Sequence, residues 1–272
     1  MTDVAEHTID VDGVATHYHD AGEGRAVLLL HGSGPGVSAW ANWRLVIPEL
    51  AEGFRVIAPD QIGFNQTLPP ADVRYGRELW TSHALRLMEI IGVESYDVVG
   101  NSMGGAIAFS MAAAQPDRIG RIVAMGTMGV AAELPEGLDE VWGYEPSVEA
   151  MRRLIELFAF DQSIVTDELV SLRYEASVAP GIQEAFSSMF PAPRQRWLDE
   201  LALGRDELEA LRLPVLLVHG WNDQVVPPSS SSLPLMDILS DVRLHAFGQC
   251  GHWVMIEQTR PFNALVARFL AG

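Results

Sequence analysis

The hydrophobic and polar positions follow two rhythms along the chain. Residues 8–20 alternate about Asp12-Gly13, which predicts a β-hairpin. Residues 26–30 are continuously apolar, as a strand buried on both faces should be, and 55–58 read the same way before Pro59-Asp60. Between these two strands, Ser38 to Leu50 reads as a helix. Residues 77–91 form an amphipathic helix stopped by Gly92. A strand at 95–99, a helix at 103–115 closed by Pro116, and a strand at 121–125 continue the alternation. At about residue 130 the rhythm changes. Helical patterns rich in aromatics run to about 206 and include Trp142, Tyr144, Phe158, Phe160, Phe186, Phe190 and Trp197. Strand-like runs return at 214–219 and 242–247, and residues 258–271 close the chain as a helix. Strands alternating with helices predict an α/β fold with a mostly parallel sheet covered on both faces. The expected division is a core of residues 1–130 and 207–272 with a helical lid at 131–206. The lid's aromatics would form its own core and an apolar pocket wall.

Composition narrows the chemistry. The 36 acidic and 18 basic residues leave a net charge of −18, which argues against nucleic-acid and anionic-membrane partners. An anionic substrate would therefore need a local positive group. One cysteine, Cys250, excludes an internal disulfide and suggests a reducing compartment. The acidic start, Met1 to Glu6, lacks the layout of a signal peptide, and no apolar run approaches the ~20 residues of a membrane span. A cytoplasmic location is the expectation. No ligand cluster with recognisable metal spacing and no dinucleotide or phosphate loop is evident, so neither metal nor cofactor is expected.

The segment Gly100-Asn101-Ser102-Met103-Gly104 joins the strand at 95–99 to the following helix. A G-x-S-x-G sequence in that context holds the serine on a sharp corner with its hydroxyl exposed, and glycine is needed two residues away on each side. A Gly-rich turn with a solvated serine is the plainer alternative. A serine nucleophile needs a base, and the base needs an anion to orient it. Asp223 and His252 each follow a predicted strand, and the chain order Ser102, Asp223, His252 would gather all three on one sheet edge. Asp223 also fits an ordinary turn aspartate in Asn222-Asp223. The alternative acid position after residue 125 holds Gly126-Thr127 and no carboxylate. Of His31, His83, His219 and His245, none has the position of His252 relative to the last strand; His31 fits a buried structural histidine. Two N–H donors complete an oxyanion hole, with Met103 and Ser33 as the candidates.

His31-Gly-Ser-Gly-Pro-Gly, Gly100-Asn-Ser-Met-Gly-Gly, Asn222-Asp-Gln-Val-Val-Pro and Gly251-His252-Trp253 together resemble the meta-cleavage product hydrolases, carbon–carbon bond hydrolases of bacterial aromatic degradation. The likeness spans nearly the whole chain and is strongest to the alkylbenzene branch. It implies an α/β-hydrolase fold with a mostly parallel eight-stranded sheet, flanking helices and a helical lid. It also implies cleavage of the C5–C6 bond of a 2-hydroxy-6-oxohexa-2,4-dienoate to 2-hydroxypenta-2,4-dienoate and a carboxylic acid, with a homo-oligomer allowed. By motif position it assigns Asn42, Asn101, Arg173 and Trp253 to the dienoate carboxylate and 2-oxygen. A guanidinium fork suits a carboxylate; an ordinary lid-surface arginine and loop-holding asparagines are the alternatives. Gly129, Trp142, Phe158, Met189, Trp197 and Val226 are the candidates for an apolar wall at C6, with alkyl substituents preferred by resemblance. A carboxylesterase with the same three residues is the second reading, and a ligand-binding relative with little turnover the third.

Overall fold

The computed structural model describes residues 3–70 and 73–272; Met1 and Thr2 lie outside them. The hairpin is β1 (Val4–Val11) and β2 (Val14–Ala21), turned by Asp12 and Gly13, both at positive φ. Then follow β3 (Ala26–Leu30), α1 (Ala39–Trp43), α2 (Ile47–Leu50), β4 (Arg55–Pro59), α3 (Arg77–Ile90), β5 (Tyr96–Asn101), α4 (Met103–Ala114) and β6 (Ile119–Met125). Six helices intervene before the next strand: α5 (Glu136–Trp142), α6 (Val148–Phe158), α7 (Asp167–Ser177), α8 (Ile182–Met189), α9 (Gln195–Leu201) and α10 (Arg205–Ala210). The chain ends with β7 (Val215–Gly220), α11 (Ser232–Ile238), β8 (Val242–Phe247), α12 (Val254–Glu257) and α13 (Thr259–Ala271).

The eight strands form one sheet in the order β1-β2-β4-β3-β5-β6-β7-β8. The pairs β1–β2 and β2–β4 are antiparallel and the remainder parallel. The apolar runs of β3 and β5 are buried throughout because helices cover both faces. At the two edges, β1 and β8 carry polar outward positions, which suits strands with one unpaired side. α4 is almost entirely Met, Ala, Ile, Phe and Gly and is buried nearly all round, packed on β5 and β6.

One helix expected over Ser38–Leu50 is two. Ser38 caps α1 through its hydroxyl, and Pro48, which cannot donate an N–H, sits in the first turn of α2 after a break at 44–46. The closing helix expected over 258–271 is α13, with the short α12 ahead of it. No helix among the described residues is long and apolar enough to cross a membrane.

Candidate active site

β5 ends at Asn101, and Ser102 takes φ 56°, ψ −116° as the cap of α4. This strained backbone is held from both sides: the Ser102 N–H donates to Met125 O at 2.9 Å, while its carbonyl accepts from Gly105 and Met128. The glycines are required by space. A Cβ on Gly100 would lie 2.3 Å from Gly104 O, and one on Gly104 would lie 2.2 Å from Leu30 O. Met103 opens α4, so its N–H has no acceptor within the helix.

His252 follows β8, its N–H held by Phe158 O at 2.8 Å. Its Nδ1 lies 2.6 Å from Asp223 Oδ2. Asp223 Oδ1 accepts from the N–H groups of Val225 (2.8 Å) and Val226 (2.9 Å). Burial by itself would raise the Asp223 carboxyl, but the charge and hydrogen bonds of His252 and His219 overcome it and hold the group well below the usual carboxylate range. The aspartate is therefore an anion that holds His252 with Nδ1 as the donor, leaving Nε2 as the basic nitrogen.

Two neighbours of this pair were not singled out from the sequence for these contacts. Gly126, at φ +50°, would carry a Cβ 3.1 Å from the His252 ring and 3.2 Å from Asp223 Oδ2. The position after β6 that lacks an acid is thus the one that makes room for the acid after β7. His219 Nε2 lies 2.8 Å from Val226 O and 3.3 Å from Asp223 Oδ2. Its strand-end position was the available signal.

Ser102 and His252 line one narrow cavity of about 20 Å³ with Ser33, Asn42, Asn101, Leu138, Val141, Phe158, Arg173, Val225 and Trp253. A larger cavity of about 610 Å³ shares Val37, Asn42, Arg173 and Trp253 with it. The structure thus brings the three triad candidates and the four polar candidates to one place. Arg173 Nη2 donates to Pro35 O at 3.0 Å, Nε is shielded and unpartnered, and no carboxylate pairs with it among the described residues. Burial, with some repulsion from Arg44, pulls its guanidinium down to about 10. Asn42 Nδ2 is buried without a partner, whereas Asn101 Nδ2 donates to Met125 O at 3.2 Å and so also ties β5 to β6. Trp253 stacks on Phe158 at 5.0 Å.

The apolar wall differs from expectation. Trp142 stands behind the cavity: its Nε1 donates to Ser33 Oγ at 3.0 Å and its ring stacks on Phe190. Val226 does not line the cavity: its N–H, like that of Val225, is held by Asp223, and its carbonyl is tied to His219, while Val225 lines the cavity. Gly129 packs on Phe109 and Ala106, Met189 is fully buried, and Trp197 donates to Pro191 O. Of the six candidates only Phe158 lines the cavity, joined by Leu138 and Val141. His31 is buried between Gly32 O and the Gln61 N–H. His83 meets Thr16 Oγ1. His245 is exposed. The Cys250 thiol is buried and pushed up to about 12, chiefly by desolvation.

A serine on a strand–turn–helix corner, lining one cavity with a histidine that pairs with an aspartate at the carboxyl edge of such a sheet, defines the class as an α/β hydrolase. Residues 25–259 match the model of the family described as alpha/beta hydrolase fold. Within it, the chain belongs to the meta-cleavage product hydrolases. It is 51% identical over 259 residues to a 2-hydroxymuconate semialdehyde hydrolase of Pseudomonas sp. strain CF600, covering 95% of this chain and 91% of that one. It is 51% identical over 260 residues to a 2-hydroxy-6-oxo-2,4-heptadienoate hydrolase of Pseudomonas putida strain F1, covering 96% and 94%. The meta-cleavage product hydrolase CumD of Pseudomonas fluorescens IP01, solved as a serine-to-alanine variant with acetates, superposes with a TM-score of 0.95 at 51% identity, covering 97% and 96%.

Proposed function

We propose that this protein hydrolyses the C5–C6 bond of 2-hydroxy-6-oxohexa-2,4-dienoates, giving 2-hydroxypenta-2,4-dienoate and a carboxylic acid. The observation that carries the reading is Arg173, a desolvated guanidinium without a protein carboxylate, in the wall that also holds Ser102 and His252. An esterase of neutral substrates has no use for that charge, whereas a dienoate carboxylate would be its counter-ion. The relatives, a 2-hydroxymuconate semialdehyde hydrolase and a 2-hydroxy-6-oxo-2,4-heptadienoate hydrolase, support the substrate class.

In this reading Asn42, Asn101, Arg173 and Trp253 hold the carboxylate and 2-oxygen while the dienol becomes a ketone. Ser102 Oγ adds to the C6 carbonyl as His252 Nε2 takes its proton, and the Met103 and Ser33 N–H groups hold the oxyanion. Collapse breaks C5–C6, and the departing dienolate, whose C5 gained its proton at ketonisation, takes the proton from His252 on its 2-oxygen. Water then releases the acid from Ser102. Asp223 orients His252 and balances its charge. The helices of residues 131–206 act as a lid, supplying Leu138, Val141, Phe158 and Arg173. The aliphatic Leu138, Val141 and Val225 favour a hydrogen or small alkyl group at C6 over phenyl.

The test is loss of the yellow absorbance with C6-hydrogen, C6-methyl and C6-phenyl dienoates, beside p-nitrophenyl acetate. The expected order places hydrogen and methyl well above phenyl in kcat/KM. Ser102→Ala should lower turnover by several orders of magnitude with binding retained. Ester turnover with no bleaching of any dienoate would overturn the reading.

A further inference from the structure

The hairpin register places Glu6 on β1 directly opposite His19 on β2, with His17 two residues along the same strand and therefore on the same face. The members of this group come from two strands and match no metal motif, so the sequence alone does not mark it. His17 and His19 are 4% and 3% exposed, and His17 Nε2 and His19 Nδ1 are both buried without a hydrogen-bond partner. Both nitrogens face the same carboxylate. His17 Nε2 is 3.7 Å from Glu6 Oε2 and His19 Nδ1 is 4.0 Å from Glu6 Oε1, and the donor atoms all lie within 4.8 Å of one another.

Behind the cluster, His17 Nδ1 lies 2.9 Å from Asp60 Oδ2. Asp60 is fully buried and is itself fixed by Asn65 Nδ2 and the Ala39 N–H. A carboxylate that takes the Nδ1 proton leaves the Nε2 lone pair pointing at Glu6, which is the arrangement that orients histidine ligands of metals. His17 Nε2, His19 Nδ1 and the Glu6 carboxylate then face one another across one gap. Two imidazoles and one carboxylate suit zinc and its neighbours, whose bonds near 2.1 Å would bring the donors to roughly 3.4 Å apart. The Glu6 carboxylate is within about 0.6 Å of that spacing from each ring, and the two rings, within 4.8 Å of each other, would turn toward the ion.

We propose that Glu6, His17 and His19 form a binding site for a divalent transition-metal ion, clipping β1 to β2 on the side of the sheet bounded by Asp60. The site is independent of the hydrolase reading.

The experiment is titration of the purified full-length, chelator-treated protein with zinc chloride by calorimetry, and with cobalt chloride by visible absorption. Wild type should take up one equivalent of zinc, show a cobalt ligand-field band, and gain about 5 °C in Tm at a hundredfold excess over Kd. Glu6→Gln, at an exposed side chain whose loss does not threaten folding, and His19→Gln should each weaken zinc at least tenfold. No uptake by a folded wild type would overturn the proposal. So would equal uptake by wild type and both variants, which would put the ion at the exposed His7 or His245.

Discussion

Arg173→Met should make the protein more stable and far less active. The guanidinium is pulled from 12.5 to about 10 by desolvation first and Arg44 second. At about 1.4 kcal/mol for each pKa unit, keeping it charged in this wall costs the fold about 3 kcal/mol. The opposing contribution is the bond to Pro35 O, worth about 1 kcal/mol net. Methionine keeps most of the apolar stem volume. The variant should therefore be about 2 kcal/mol more stable, with Tm raised by about 4–8 °C in scanning fluorimetry without ligand. Arginine is charged in the folded and unfolded chain alike below the folded value, so the gain should be the same at pH 6 and pH 8. With substrate the sign reverses. Removing one partner of a desolvated charge pair costs 2–5 kcal/mol, so kcat/KM for the dienoate should fall by about 10²–10³-fold, while p-nitrophenyl acetate turnover changes little. A lower Tm together with unchanged dienoate kinetics would refute the reasoning on both counts.

Other outcomes follow from the same geometry. Gly104→Ala puts a Cβ 2.2 Å from Leu30 O, a backbone atom that cannot step aside, and should cost about 3 kcal/mol or more along with most activity; Gly53→Ala, with open space at its Cβ, should be close to neutral in the same urea titrations. His83 is held neutral by burial, its pKa lowered to about 4. The unfolded chain takes up a proton there as pH falls from 6.5 to 4 and the folded one does not, so stability should drop by about 3 kcal/mol across that window; the drop should be absent in a folded His83→Gln.

Much of the fold is present in the order of short patterns. Apolar runs of five at 26–30 and small-residue helices such as 103–114 have one comfortable place, inside a covered parallel sheet, so strand identity and the carboxyl-edge location of residues 102, 223 and 252 follow from chain order. Pro48 sits in the first turn of a separate helix, although the apolar periodicity runs straight through it. The wall of the cavity was legible only by class. Which of Val225 and Val226 lines the cavity is decided within one turn: Asp223 holds both N–H groups, and the bond from His219 holds the Val226 carbonyl. Trp142 is aromatic, lies in the inserted helices and is buried, yet its indole N–H is spent on Ser33 and its face on Phe190.

The same limit explains why Glu6, His17 and His19 cannot be read from the sequence while Ser102, Asp223 and His252 can. A nucleophile elbow is written in consecutive residues, since the strain at Ser102 demands glycines at fixed offsets. A cluster across an antiparallel pair is written in the register, which depends on the turn at Asp12-Gly13 and on which face β4 buries. A net charge of −18 also sharpens the role proposed for Arg173: with the overall field repelling an anion, recognition would have to come from a close, poorly screened contact. Putting that one guanidinium where water is scarce strengthens its pull on a carboxylate through the same desolvation that destabilises the unliganded protein.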